Sequence, residues 1–211
     1  MSDAVLESVN VARVAPAPWA VLGRSAIDKR PVAGRVAVRS LGVDADEQAE
    51  WPAHGGPDKA VYCYAREDAR WWAGELDRPM PPGCFGENLS TAGLEVTGAE
   101  IGERWRIGTV LLEVAQPRIP CRTLAGFWQL PDLVKRFTAV GRPGAYLRVI
   151  QEGDLAAGDP IEVVERPGHG VTIGVAFRAK SGQRELVRFL LDAPELPADW
   201  HEWARKVLAV L

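Results

Sequence analysis

The chain has 211 residues, with 25 Lys and Arg against 28 Asp and Glu and a formal net charge of −3. That length supports one sizeable core with room for a small appendage, and it excludes a second full-sized domain. Interspersed charges without long basic runs exclude a bulk nucleic-acid surface, and no stretch approaches the roughly 20 apolar residues that cross a bilayer.

Met1 to Val14 lacks a basic segment followed by an apolar one, so a cytoplasmic protein without nucleic-acid or membrane partners is expected. The three cysteines, Cys63, Cys84 and Cys121, are spaced unlike a zinc site or a disulfide framework and are read as reduced thiols. From Val5 to about Ile161 short strands are punctuated by Gly and Pro, the pattern of a barrel or sandwich. Arg35 to Arg39 alternates apolar and polar. Val61 to Tyr64 is a strand that puts Cys63 in the core, and Arg66 to Leu76 is a helix with Trp71, Trp72 and Leu76 as its apolar positions. Trp105 to Ile107 and Val110 to Val114 form a hairpin about Gly108-Thr109, the second arm being apolar on both faces and therefore central. Asp132 to Val140 is a second helix, and Tyr146 to Ile150 with Ile161 to Val164, separated by a turn at Glu152-Gly153-Asp154, is the last strand pair.

Arg166 to Gly170 marks a boundary, beyond which the apolar period changes from two to about 3.6. Thr172 caps a first short helix, Arg184 to Leu191 forms a second, and Asp199 with Glu202 opens a third in a capping-box pattern. Trp200, Trp203, Ala204, Val207, Leu208 and Leu211 make one apolar face of that third helix. Three helices of this size bury too little to stand alone, so they pack on the first domain, on one another or on a partner subunit. The expected organisation is 1–166 for the first domain and 171–211 for a three-helix one.

The chemistry concentrates in a few loops. Pro117-Arg118-Ile119-Pro120-Cys121-Arg122 follows the long apolar strand, and its prolines hold the Cys121 thiol at the strand end. A thiolate there, stabilised by flanking arginines, is a soft metal ligand, while a buried structural thiol is the plain alternative. His54-Gly55-Gly56-Pro57-Asp58-Lys59 offers glycines that admit a ligand to the backbone, a charge at Lys59 and a proton-passing imidazole at His54. It is otherwise a surface turn. Glu87 and Asn88, in Phe85 to Leu89, could position the arginines of a phosphate site or anchor their own loop. Arg142 and Arg148 are candidates for a bidentate phosphate contact, and Ser25, Lys29 and Arg30 could complete a polar rim. Cys84 is read as an incidental thiol.

In order and spacing, the segments His54 to Tyr62, Phe85 to Thr91, Gln116 to Cys121 and Gly141 to Val149 closely resemble the MOSC (molybdenum cofactor sulfurase C-terminal) family. With Ser25 to Ile27 and Asp46 to Glu50 near the front and helices at the end, the chain is most similar to the bacterial branch associated with resistance to N-hydroxylated purines. The resemblance implies a mainly β fold with short helices, a MOSC-type β-barrel, followed by a small three-helix domain. It implies a molybdenum–pterin cofactor ligated by Cys121, with Ser25, Lys29, Arg30, Gly55, Gly56, Asp58, Lys59, Glu87, Asn88, Arg118, Arg142 and Arg148 around it and His54 as a catalytic residue. The implied activity is reduction of N-hydroxylated bases or related N-oxygenated compounds. Because no flavin, nicotinamide or iron–sulfur signature is present, the electrons come from a separate reductase. A monomer or homodimer is expected. The alternative is a sulfur-carrier or cofactor-delivery module using Cys121 as persulfide or ligand. Pyridoxal phosphate enters only by family association, and no lysine stands in a context that argues for a Schiff base.

Overall fold

The computed structural model describes residues 4–49 and 55–210. The readings that fall on His54, Glu50 and Leu211 lie outside the described residues. In chain order the strands are β1 (Val5–Val11), β2 (Ala15–Pro16), β3 (Arg24–Ser25), β4 (Arg30–Pro31), β5 (Val36–Arg39), β6 (Gly42–Val43), β7 (Val61–Ala65), β8 (Leu89–Ala92), β9 (Arg104–Ile107), β10 (Val110–Pro117), β11 (Ala145–Gln151), β12 (Gly153–Leu155) and β13 (Ile161–Glu165). The α-helices are α1 (Arg66–Leu76), α2 (Arg122–Trp128), α3 (Leu133–Val140), α4 (Ile173–Lys180) and α5 (Ala198–Leu208).

Eight strands form one mixed sheet in the order β13-β9-β10-β11-β7-β8-β1-β4, beside a three-stranded sheet β12-β5-β6 and the short pair β2-β3. Strand β10 is central, as its apolar run predicts, pairing with β9 on one side and β11 on the other. The pair β7 and β8 is parallel. A parallel pair needs a long crossover, and α1 with the loop to residue 88 supplies it.

The expected barrel is not closed. The sheet curls until residues before β13 reach the start of β1. There Ile161 N donates to Ala4 O (2.9 Å), Leu6 N to Asp159 O (3.0 Å) and Gly158 N to Leu6 O (2.8 Å). Among the described residues this seam amounts to an isolated bridge between Val5 and Pro160 rather than a strand ladder. The last two expected strands are also not partners: β11 pairs with β10 and β7, while β13 pairs with β9. What reads as a turn at Glu152 to Asp154 is mostly strand β12, which leaves the large sheet to pair with β5.

Strand β7 is buried on both faces and divides two cores. Val61, Cys63 and Ala65 face an aliphatic core with Leu6, Leu112 and Leu147, whereas Tyr62 and Tyr64 face an aromatic one with Trp72, Phe85, Trp128 and Phe137. In the second, Tyr64 stacks on Phe85 with ring centroids 3.9 Å apart, and Phe85 meets Trp128 edge-on at 4.7 Å. Cys63 is the core thiol expected, fully buried, with its pKa pushed up to about 12 by desolvation.

The C-terminal helices share the aliphatic core: Ile173, Ala176, Val187, Leu190, Trp200 and Ala204 belong to the same cluster as the sheet. Thr172 caps α4 through its hydroxyl, which accepts from Val175 N (3.2 Å). The stretch Arg184–Asp192 is a 3-10 helix, and α5 starts after Pro197 without a side-chain cap, so the expected Asp199 box does not form. Its register still follows the apolar pattern, burying Trp200 and Ala204.

Within α1, Asp68 is buried against Arg142, 3.2 Å away. Burial pushes its carboxyl up to about 6, an effect that Arg142 offsets only in part. A raised carboxyl pKa gives stability that is full below the unfolded value near 4 and is lost as pH rises through the folded value. Between pH 4 and 7 the wild type is therefore expected to lose on the order of 2 kcal/mol relative to Asp68→Asn, measured by denaturant unfolding at each pH. Parallel pH profiles for the two proteins would contradict this.

Candidate functional site

A cleft of about 710 Å³, counting its open mouth, lies where the ends of β7, β10 and β11 meet the N-terminal segment 22–29 and residues 46–49. Its chemistry begins at the end of β10. Pro117 is still paired with Ala145, and four residues later Cys121 is extended (φ −126°, ψ 164°) as the N-cap of α2. That helix is absent from the sequence reading, although Leu124, Ala125 and Trp128 carry its apolar face into the core. The strand fixes Arg118 and the helix fixes Cys121, with Ile119 and Pro120 as a short brace between them.

Arg118 is almost entirely buried, at 4% exposure. Its Nη2 donates toward Cys121 Sγ at 3.6 Å, and its guanidinium lies 5.8 Å from the centre of the Tyr62 ring. Burial works against its charge, but Cys121, Tyr62 and Tyr146 outweigh that and raise its pKa above the ordinary value. Its Nη1 is buried without a hydrogen-bond partner. A buried, unsatisfied guanidinium nitrogen on a cleft wall is costly, and an anionic ligand would satisfy it.

The opposite wall holds a buried ion pair. Lys29 Nζ contacts Asp46, whose carboxylate also accepts from Ala12 N (2.9 Å) and Asn88 Nδ2 (2.9 Å). Burial lowers the Lys29 pKa, and Asp46 opposes that. Asn88 further accepts from Tyr62 N through Oδ1 (3.1 Å) and donates to Asn10 O (3.3 Å). Glu87 does not hold an arginine. Its carboxylate accepts from Gly83 N (2.6 Å), Phe85 N (2.9 Å) and Ser90 Oγ (2.7 Å), and it thereby shapes its own loop. Desolvation raises its pKa. The loop approaches its neighbour closely: Gly86 has φ +80°, and a Cβ there would stand 2.9 Å from Ile27 Cγ1.

Of the residues singled out in the sequence, Cys121, Arg118, Lys29, Asn88, Ser25 and Lys59 line the cleft together. Lys59 comes from the 3-10 turn Pro57–Lys59, preceded by Gly55 and by Gly56 at φ +94°. Others lie elsewhere. Arg148 pairs with Asp58 and, at 3.0 Å, with Glu113, so neither Arg148 nor the Asp58 carboxylate is on the cleft wall. Arg142 pairs with Asp68 and lies over Trp71 at 5.0 Å. Its carbonyl accepts from Tyr64 OH (3.1 Å), just as Pro143 O accepts from Tyr62 OH (2.8 Å). The Gly141 to Gly144 turn thus seats two core tyrosines. Arg30 faces outward onto Asp28.

The sequence reading left Tyr62, Tyr146, Asp46 and Gln116 without roles, although all four lie within motifs it quoted. Strand alternation signals the two tyrosines: Tyr62 and Tyr146 are register partners on β7 and β11, opposite the Cys63 face. Gln116 joins distant elements, accepting from Trp200 Nε1 (2.8 Å) while donating to Asp58 O (3.3 Å). Among the described residues no three His, Cys, Asp or Glu side chains come together, so a metal held by Cys121 would bring most of its ligands with it.

A family model for the MOSC domain matches residues 51–162. The protein YflK of Bacillus subtilis is 36% identical over 152 residues, which cover 72% of this chain and 69% of that one. The crystal structure of YiiM from Geobacillus stearothermophilus superimposes with a TM-score of 0.82 at 33% identity, covering 97% of this chain and 99% of that one. A protein named a reductase in Gibberella moniliformis is 35% identical over 178 residues, 82% of this chain but 31% of that longer protein.

Glu87 gives this site a stability test. Glu87→Ala strips the buried Gly83 and Phe85 N–H groups of their acceptor, and each orphaned donor costs roughly 1–3 kcal/mol. The variant is expected to be less stable by about 3 kcal/mol, with its urea midpoint lowered accordingly. A midpoint equal to that of the wild type would mean the loop holds its shape without the carboxylate.

Proposed function

Because this chain belongs to the MOSC domain family, we propose that it binds a molybdenum–pterin cofactor in the cleft and reduces N-hydroxylated bases or related N-oxygenated compounds with electrons from a separate reductase. One observation carries the reading: a half-buried cysteine and a buried arginine with an unpaired nitrogen share one cleft wall. A thiolate is a soft donor suited to molybdenum, and the arginine supplies the fixed positive charge that an anionic pterin phosphate or dithiolene needs. The residues present therefore fit the group. Cys121 would ligate the metal, Arg118 and Lys59 would neutralise the cofactor's charge, Ser25 would hydrogen-bond at its rim, and Asn88 would hold the wall behind it through Asp46.

When bound, such a cofactor would supply, two at a time, the electrons that break the N–O bond. The chain's own residues do the rest. Tyr62, Phe85 and Tyr146 line the cleft with aromatic surface, which excludes water and gives a planar base a face to lie against. Arg118, held between the Tyr62 ring and Cys121, stabilises negative charge on the sulfur without reorganising. A relative that carries the name reductase supports the redox reading.

Metal analysis tests the ligand assignment. Cys121→Ser, expressed in cells that make the cofactor, is expected to lose molybdenum and reductase turnover together while keeping its fold. Cys63→Ser should keep both, at a packing cost on the order of 1 kcal/mol. Arg118→Ala should lower molybdenum occupancy at least 10-fold under matched loading. Stoichiometric molybdenum in Cys121→Ser sinks the assignment. Single-turnover behaviour of fully loaded wild type with several electron donors favours the carrier reading instead.

A further inference from the structure

Reductive cleavage of an N–O bond consumes protons as well as electrons. In R–NH–OH + 2 e⁻ + 2 H⁺ → R–NH₂ + H₂O the N–O bond breaks, nitrogen gains an N–H bond and oxygen leaves as water. The external reductase supplies both electrons. This question rests on the reductase reading above, and it concerns where the protons come from once cofactor and substrate fill the mouth of the cleft.

Lys29 and Asp46 are placed to answer it, because the cleft wall is one side chain thick at each. Both line the cleft. On its other side Lys29 lines a groove shared with Arg30, Arg78 and Cys84, and Asp46 lines a separate groove shared with Arg39, Leu41 and Asp44. The two side chains are only 7% and 4% exposed, and they are in direct contact. Asp46 is immobilised by the Ala12 N–H and the Asn88 amide. Lys29 carries three N–H donors, of which the carboxylate takes one.

We propose that the Lys29–Asp46 pair is a proton relay, passing protons from the outer grooves through the cleft wall to the N-hydroxylated substrate, with the Lys29 ammonium as the group that hands them over. Each turnover uses it twice, the amine being reprotonated from the groove side between transfers. Burial weakens the hold of Lys29 on its proton, while Asp46 and the buried Glu87 behind it strengthen that hold. The remaining charged groups on the cleft are less suited. A guanidinium such as that of Arg118 keeps its proton near neutral pH, Glu47 accepts from Val14 N (2.7 Å), and Lys59 lines the cleft but neither outer groove.

The test uses molybdenum-loaded protein, a hydroxylaminopurine and a flavoprotein electron donor. Lys29→Ala is expected to keep its molybdenum and lose turnover roughly 100-fold. Added methylammonium or ethylammonium should restore the rate in proportion to concentration, which a merely structural lysine would not permit. Lys29→Arg should remain slow, since a guanidinium keeps its proton. Asp46→Asn should shift the alkaline limb of the pH–rate profile to lower pH. Unimpaired turnover in Lys29→Ala, or lost turnover with intact molybdenum that no amine restores, overturns the relay. Nitrogen NMR of lysine-labelled, cofactor-free protein reads the pair without any reaction. Lys29 must titrate below the ordinary lysine range, and lower still in Asp46→Asn, and a Lys29 that titrates in the ordinary range overturns the proposal. Wild type that fails to turn over when fully loaded counts against the reductase reading, and the NMR titration then decides the relay by itself.

Discussion

The cleft depends on Asn88. Its backbone N–H donates to Tyr62 O (2.8 Å) and its carbonyl accepts from Asn10 N (2.7 Å), so its main chain sits between β7 and β1 where β8 begins. Its side chain extends the same pairing sideways, to Tyr62 N, Asn10 O and Asp46. Without that amide, buried peptide groups of two strands would face each other with no partner as the sheet opens, at a cost of roughly 1–3 kcal/mol each. The sheet can part to make a pocket because one residue satisfies both sides of the gap. Aspartate is nearly isosteric but brings no N–H donor, and it would set a second carboxylate against Asp46.

Around that joint the protein carries four buried charged groups: Glu87, Asp46, Lys29 and Arg118. Glu87 and the Lys29–Asp46 pair are internally compensated, by hydrogen bonds in one case and by an opposite charge in the other. Arg118 is compensated incompletely. Burying charge seldom adds stability compared with apolar packing, so a guanidinium left short of one partner is better explained by what it awaits than by what it holds together. Arg142 and Arg148 make the contrast. Each has its carboxylates within the chain, Asp68 for the first and Asp58 with Glu113 for the second, so the charge of each is already compensated.

Much of the fold was legible because burial imposes period. The β9–β10 hairpin, α1 and the apolar face of α5 follow directly from residue alternation. What was not legible depends on partners distant in sequence. The strand β12 looks like a turn because it is short and contains Gly153, and only pairing with β5 makes it a strand. The sheet meets its own first strand only at the isolated Val5–Pro160 bridge, which no local pattern announces. Within the site, Cys121 and Arg118 stood out by residue type and proline setting and Lys29 by residue type, whereas Asp46 and Gln116 matter through contacts 42 and 84 residues away in the chain, to Asn88 and Trp200. Arg142 and Arg148 misled for the same reason: a guanidinium near a glycine turn looks free until its carboxylates are located.

Gln116 links the order of synthesis to the readiness of the cleft. Helix α5 is translated after every other described element, and the indole of its Trp200 fixes the Gln116 amide, whose other end holds the carbonyl of Asp58 in the turn that presents Lys59. Until that helix docks, the amide is free to rotate and the turn lacks this tether. The last described helix to leave the ribosome therefore finishes a wall of the cleft, so the C-terminal helices brace the site as well as cover the core.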